Sequence, residues 1–252
     1  MFLKKRIYYR MTMNRQTLRS YYRLTKPGII YGNALMFAAG FFLGSWEGVN
    51  WSLFFEALLG LSLVMASACV FNNYADRELD RKMERTKNRS LVTGAISPNA
   101  AYIYGLVLAL LGFGILYFFS TYLSFLVALI GFATYVFLYT PLKPKTSFAL
   151  YIGAVAGATP PVVGYTAITG DFDWWALLLF VAMFLWQLPH FIAIATYRYD
   201  EYTAAGVPLT LKRAPTEEEK KKAKKIFALT LVILLAACLG IALWRLLFSV
   251  LL

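Results

Sequence analysis

The sequence predicts an all-α, polytopic transmembrane helical bundle of about seven spans. Three observations carry that expectation. The 252 residues are 60% hydrophobic and only 15% charged, more apolar surface than a soluble domain has interior to hide. Several apolar runs exceed ~18 residues, enough to cross ~30 Å of hydrocarbon at ~1.5 Å per residue. Of the 25 Lys and Arg, 24 occupy the N-terminal arm and alternate loops, the pattern expected of cytoplasmic segments.

The chain opens on a basic cytoplasmic arm, residues 1–27, with eight Lys/Arg before Pro27. The arm leads into a full-length span, Gly28–Trp46, rather than a short apolar core and a small-residue cleavage site. No removable signal peptide is therefore expected. The loop around Glu47 has no basic residue. Span two, Leu53–Asn73, is followed by six Lys/Arg between Arg77 and Arg89. Spans three and four, Ala100–Phe119 and Tyr122–Thr140, flank a non-basic turn at Ser120. Lys143 and Lys145 follow, then span five, Phe148–Ile168, and the non-basic loop at Asp171. Span six, Trp174–Tyr197, contains Pro189, which loosens the helix and frees a carbonyl. Eight Lys/Arg lie between Arg198 and Lys225. Thr216 as N-cap, Glu217–Glu219 in the first turn and the lysines after them suit a helix dipole; this helix carries span seven, Ile226–Trp244. Residues 28–252 read as one transmembrane domain, with the N-terminus cytoplasmic and the C-terminus outside. The net charge of +12 is accounted for by topology and anionic lipid. No recognition module accompanies it, so nucleic acid is excluded as a partner. Cys69 and Cys238 fall inside spans and read as buried small apolar residues; without a CxxC pair they imply neither zinc nor a disulfide framework.

One polar stretch stands out. In "FNNYADRELDRKMERTKNRS", residues 71–90, Asn72, Asp76, Asp80 and Glu84 recur every four residues. On a helix the first three stay within about 80° of one another, at the wet cytoplasmic mouth of span two. Two carboxylates and a carboxamide make a hard oxygen site that suits Mg²⁺, which takes few carboxylates, waters and phosphate oxygens. Arg77, Arg81, Arg85, Lys87 and Arg89 would complement a polyanion, so the combination fits a metal-bridged diphosphate. The plain alternative is a solvated loop helix whose carboxylates pair with arginines one turn away. A second acidic site, Asp200 and Glu201 beside Arg198, lies at the cytoplasmic end of span six. The loop after span four adds Tyr139, Lys143 and Lys145.

These stretches resemble the UbiA-type intramembrane prenyltransferases and, within them, the protoheme IX farnesyltransferase (haem O synthase) branch. The likeness rests on "LTKPGIIYGN" at 24–33, "ASACVFNNYADRELDRKMERTKNRSLVTGAISP" at 66–98, "GAVAGATPPVVGY" at 153–165 and "LWQLPHFIAIATYRYDEYTAAGVP" at 185–208. It implies a helical fold around a central cavity, farnesyl diphosphate as donor, Mg²⁺ as cofactor and haem B as acceptor. The product implied is haem O, in the inner (plasma) membrane, with terminal-oxidase assembly factors as candidate partners. By position, Asn72, Asp76 and Asp80 match the first metal–diphosphate motif and serve catalysis. Asp200 and Glu201 complete the metal set. Arg77, Tyr139 and Lys143 match residues that meet the diphosphate, and Arg85, Lys87, Arg89 and Arg198 are added to them. His190, the only histidine, is a haem-contact candidate by iron ligation or propionate contact; a structural histidine is the alternative.

The resemblance implies nine spans, whereas seven are read here, and it fades after Pro208. Ser90 stands where Pro is usual, Pro144 interrupts a usual Lys-Arg pair, and Glu201 takes a position that is usually Asp. Two further functions stay open: prenyl transfer to a quinone-type aromatic acid, and isoprenoid-diphosphate binding without turnover. A transporter is disfavoured, because the polar residues gather at one mouth rather than at the bilayer midplane.

Overall fold

A computed structural model describes residues 15–211 and 213–251, and every regular element in them is helical. Helix α1 covers 15–24. Then come α2 (Pro27–Gly44), α3 (Trp51–Ala75) and the short α4 (Arg77–Arg81). Helix α5 (Pro98–Phe119) leads to α6 (Tyr122–Ala133), a π-helical turn (Thr134–Tyr139) and α7 (Thr140–Leu142). The rest are α8 (Ala149–Gly157), α9 (Thr159–Thr169), α10 (Trp174–Tyr197), α11 (Tyr199–Ala204) and α12 (Glu217–Leu251).

Six stretches are long and apolar enough to cross a membrane, and they cover six of the seven expected spans. The expected span at Phe148–Ile168 forms two helices end to end, α8 and α9. The cause is local. Pro160 and Pro161 open α9; neither has an N–H to donate, and the rings clash with carbonyls of the turn before. Thr159 donates to the Ala156 carbonyl at 2.8 Å and satisfies one group that the break exposes. The last helix begins where its acidic turn predicts. Glu219 N donates to Thr216 Oγ1 at 3.2 Å and Thr216 N to Glu219 Oε2 at 2.8 Å, a reciprocal capping box.

Helix–helix association in lipid relies on close packing, since lipid tails are as apolar as leucine. The tightest crossing sets α2 against α9. A Cβ at Gly40 would overlap the Pro161 carbonyl, and one at Gly164 would overlap the Phe37 carbonyl. The two backbones touch there, and Phe37, Phe41, Val162, Val163 and Tyr165 pack fully buried around the contact. Gly112 of α5 meets the α3 backbone at Gly60 and Val64 in the same way, Gly60 makes room for the Leu116 side chain, and Ser67 adds a 2.6 Å bond to the Gly105 carbonyl. Leu110, Phe118, Ile130 and Val232 are exposed, as lipid-facing side chains should be. Cys69 and Cys238 are buried free thiols.

The bundle has two polar ends. At one end, Arg245 of α12 donates to the Ser45 and Trp46 carbonyls that close α2. Tyr165 bonds Asp173 at 2.7 Å in the loop between α9 and α10. The other end carries the acidic row.

Candidate active site

Helix α3 ends at Ala75, and Asp76 takes the capping position with ψ near 0°. The four-residue hydrogen bonding nonetheless continues, from Asp76 N to Asn72 O at 2.8 Å and from Asp80 N to Asp76 O at 2.7 Å. The row therefore keeps one face across the junction with α4. It is not wet: Asn72, Asp76 and Asp80 are 2%, 5% and 3% exposed. Burial demands partners for these carboxylates, and they are not the arginines one turn away. Asp76 Oδ2 accepts from Lys143 Nζ at 2.8 Å, and Asp80 Oδ2 accepts from Arg89 Nη1 at 2.6 Å. Arg89 also donates to Asn73 Oδ1 at 3.0 Å, and Asn73 donates to the Leu24 carbonyl at 2.7 Å. The second residue of the Asn pair thus braces the arginine against the end of α1.

Asn72 sits at the centre of the cluster. Its amide donates to Asp76 Oδ2 at 3.2 Å and to Thr140 Oγ1 at 3.1 Å. Its oxygen accepts from Lys26 Nζ at 2.5 Å. Nothing in the sequence marks Lys26 for this place; it reads there only as one residue of "LTKPGIIYGN". It is the one non-glycine residue with positive φ among those described, at 52°, a conformation that costs a side-chain-bearing residue about 1–2 kcal/mol. Pro27 opens α2 immediately after it, so the turn that starts the helix also aims the amine inward. Burial pushes the Lys26 ammonium down to about 8. Burial acts against Lys143 as well, but Tyr139 and Asp76 outweigh it and hold that ammonium above the usual lysine range.

The π-helical turn places the third side of the cluster. Pro141 has no N–H to continue an α-helix, and Thr140 N instead reaches back five residues to the Tyr135 carbonyl. Thr140 Oγ1 donates to that carbonyl at 2.9 Å while accepting from Asn72. Single π-turns of this kind re-aim side chains within a helix. Here Tyr139 stacks on Tyr135 at 5.2 Å and, with Lys143, Phe191, Tyr202 and Val207, lines a cavity of about 180 Å³.

The other expected site residues divide. Arg85 and Arg198 both hold Glu201, at 3.3 Å and 3.0 Å; that links the loop after the acidic row to α11. Asp200 turns away, exposed and bound to Lys220 at 2.5 Å, so the structure does not bring it to the first row. Arg77 donates to the Tyr74 carbonyl and lies 4.8 Å over the Tyr74 ring, and Lys87 pairs with Glu84 at 2.6 Å; neither joins the buried cluster. His190 lies between rings, 5.0 Å from Trp186 and 4.8 Å from Phe227. Thr230 Oγ1 donates to the Phe227 carbonyl at 2.7 Å, so at 2.9 Å it accepts from His190 Nδ1. That bond places the imidazole proton on Nδ1 and a lone pair on Nε2.

Asp76 and Asp80 each keep Oδ1 outside these ion pairs. Among the described residues no group of three or more His, Cys, Asp or Glu is placed to hold a metal by itself. An ion here would need oxygens from water and a bound phosphate, the ligand set that Mg²⁺ prefers. The donor chemistry fits that ion.

A profile of the UbiA prenyltransferase family matches residues 33–252. The chain is 49% identical over 194 residues to a protoheme IX farnesyltransferase of Protochlamydia amoebophila, covering 77% of this chain and 69% of that one. It is 47% identical over 198 residues to the protein of the same name from Sodalis glossinidius, covering 78% and 67%. The match thus spans about two thirds of those relatives' length. In fold it is similar to a digeranylgeranylglyceryl phosphate synthase, with TM-score 0.65, 19% identity and coverage of 92% and 85%. It is also similar to a UbiA homolog from Archaeoglobus fulgidus bound to GPP and Mg²⁺, with TM-score 0.64, 21% identity and coverage of 92% and 86%.

Proposed function

The chain belongs to the UbiA prenyltransferase family, and from that premise we propose that it transfers the farnesyl group of farnesyl diphosphate to a vinyl group of protoheme IX, giving haem O. The observation that carries the proposal is the buried row Asn72–Asp76–Asp80, in which each carboxylate is matched to one cation brought from elsewhere in the chain. The relatives named for protoheme farnesylation support the choice of acceptor.

Mg²⁺ held by Asp76 and Asp80 would supply a Lewis acid that stabilises negative charge on the diphosphate oxygens. The chain's own residues do the rest. Two carboxylates balance a divalent ion, and Lys26, Arg89 and Lys143 supply three positive charges, the complement of a diphosphate ester trianion. These fixed cations stabilise the charge that grows on the diphosphate as the allylic C–O bond breaks. The vinyl π electrons then form the new C–C bond to farnesyl C1. The cation left beside the macrocycle takes a water oxygen and releases one proton, which gives the hydroxyethylfarnesyl group; diphosphate leaves. Water must reach that second cation and not the first, so Tyr135, Tyr139 and the apolar wall of Phe191 and Val207 keep the donor dry. Glu201, carried by α11 and bound through Arg85, belongs to the second acidic site. His190, with its Nε2 lone pair, is the haem contact. The protein works in the inner membrane with its acidic row on the cytoplasmic side.

The test is incubation of detergent-purified protein with farnesyl diphosphate, Mg²⁺ and either haem B or 4-hydroxybenzoate, with the product identified by mass. Haem O alone is the expected product. A prenylated benzoate would replace this reading with the quinone-type one, and donor binding without any product would replace it with a binding protein.

A further inference from the structure

A second cavity lies at the same end of the bundle. Helices α10, α11 and α12 enclose a cleft of about 700 Å³ that adjoins the site through Glu201. Its carboxylates are all held. Lys220 binds both Asp200 and Glu217, at 2.5 Å and 2.8 Å, and Glu201 is held by Arg85 and Arg198. Lys221 and Lys224 also line the cleft, are exposed, and make no hydrogen bond or ion pair among the described residues. Three residues apart on α12, they share a face. The next residue at that spacing is Phe227, where the cleft floor turns aromatic. The Phe227 ring is 5.6 Å from Tyr197 and 4.8 Å from His190, which stacks in turn on Trp186. Two unpaired cations thus stand at the water boundary above Tyr197 and Phe227, the two rings that line the cleft, with His190 and Trp186 packed behind Phe227.

We propose that this cleft seats the acceptor, with Lys221 and Lys224 holding the two carboxylates of an iron porphyrin whose macrocycle lies against Tyr197 and Phe227. This rests on the farnesyl-transfer reading above and adds where its acceptor binds. A porphyrin of this class has both acids on one edge. Fixing that edge at the aqueous face directs the opposite side of the ring into the bundle. The two anionic substrates then use separate cations: Lys26, Arg89 and Lys143 for the donor, Lys221 and Lys224 for the acceptor. Both can be bound at once without competing for charge.

The experiment titrates detergent-purified protein, free of anionic lipid, with protoheme and with its dimethyl ester, monitored by the change in haem absorbance. Wild type should bind the diacid about tenfold tighter than the ester, the scale of two partly exposed ion pairs, and the difference should shrink with added salt. Lys221→Gln combined with Lys224→Gln should weaken the diacid about tenfold, leave the ester unchanged and leave farnesyl diphosphate binding unchanged. The paired Lys→Arg variant should restore diacid binding. In turnover, the Gln pair should raise KM for protoheme and spare kcat. A thermal melt checks that the variant is folded. Equal wild-type affinity for diacid and ester, or wild-type diacid binding in the Gln pair, overturns the proposal. So does an effect of the Gln pair that shows only on anionic-lipid vesicles, which would make the lysines a headgroup contact. If wild type binds donor yet neither binds nor converts protoheme, the acceptor reading itself falls, an outcome distinct from all of these.

Discussion

Asp76 and Asp80 have their negative charges matched inside the protein, and this changes what their removal does. Sequence alone puts them at a wet mouth, where an Ala substitution would leave folding intact. Paired at a buried row, each one's loss strands a partly exposed Lys143 or Arg89, which water screens in part, so the cost falls below the ~3–5 kcal/mol of a fully buried pair broken on one side. Asp76→Ala and Asp80→Ala should therefore abolish prenyl transfer and also lower the melting temperature by several degrees. A double variant, Asp76→Ala with Lys143→Met, should regain most of the stability and none of the activity. Wild-type melting of the single variants would show that these ion pairs carry no net stability. Lys26 behaves in the opposite sense. Its ordinary value of 10.5 falls to about 8 on folding, first because of burial, so between about 8 and 10.5 the unfolded chain binds more protons. Its destabilising contribution is full below about 8 and fades as pH rises to 10.5. Melting measured from pH 7.5 to 10 should gain less with rising pH in Lys26→Met than in wild type. A four-residue spacing made the acidic row legible in the sequence. Lys26 and Asn73 were not, because nothing in a linear string says that the turn before α2 folds back onto the end of α3.

At the scale of elements, apolar run length and alternating charge located the helices, and the Thr216 cap located the start of α12. Two irregularities escaped because they depend on prolines that a linear reading treats as residues in a run. Pro160–Pro161 split the fifth expected span, and Pro141 forces the π-turn. That turn has a direct test. Pro141→Ala would let Thr134–Tyr139 return to α-helical spacing and rotate the chain beyond it by about 100°. Tyr139, Thr140 and Lys143 would leave the cluster together. Farnesyl diphosphate binding should fall at least tenfold while circular dichroism keeps its helical signal; unchanged binding would show that the π-turn does not aim these side chains. The α2–α9 crossing is less forgiving. Gly164→Leu should prevent recovery of monodisperse protein in detergent, because the Phe37 backbone has nowhere to move; Gly28→Ala, in open space, should be neutral.

For the whole molecule, the proposed orientation makes a topological prediction. In cells, Asp171→Cys should label with an impermeant maleimide from outside, and Glu218→Cys only after permeabilisation. Labelling in the reverse order would invert the orientation. The charge alternation behind that proposed orientation was legible because charge is counted loop by loop. The ring of neighbours was not, since helices adjacent in space are far apart in sequence. Helix α12 packs against both α10 and α2, and Arg245 occupies the carbonyls at the end of α2 from 200 residues away. This has a consequence for biosynthesis. The C-terminal end of α2 cannot be completed until α12 has been made. The Ser45 carbonyl already accepts from Gly48 N at 3.2 Å, but at ~5–20 residues per second the Trp46 carbonyl waits on the order of ten seconds or more for its guanidinium. Newly inserted α2 is thus an open-ended intermediate, and the nascent chain needs lipid headgroups, water or an insertion factor as a stand-in until Arg245 arrives.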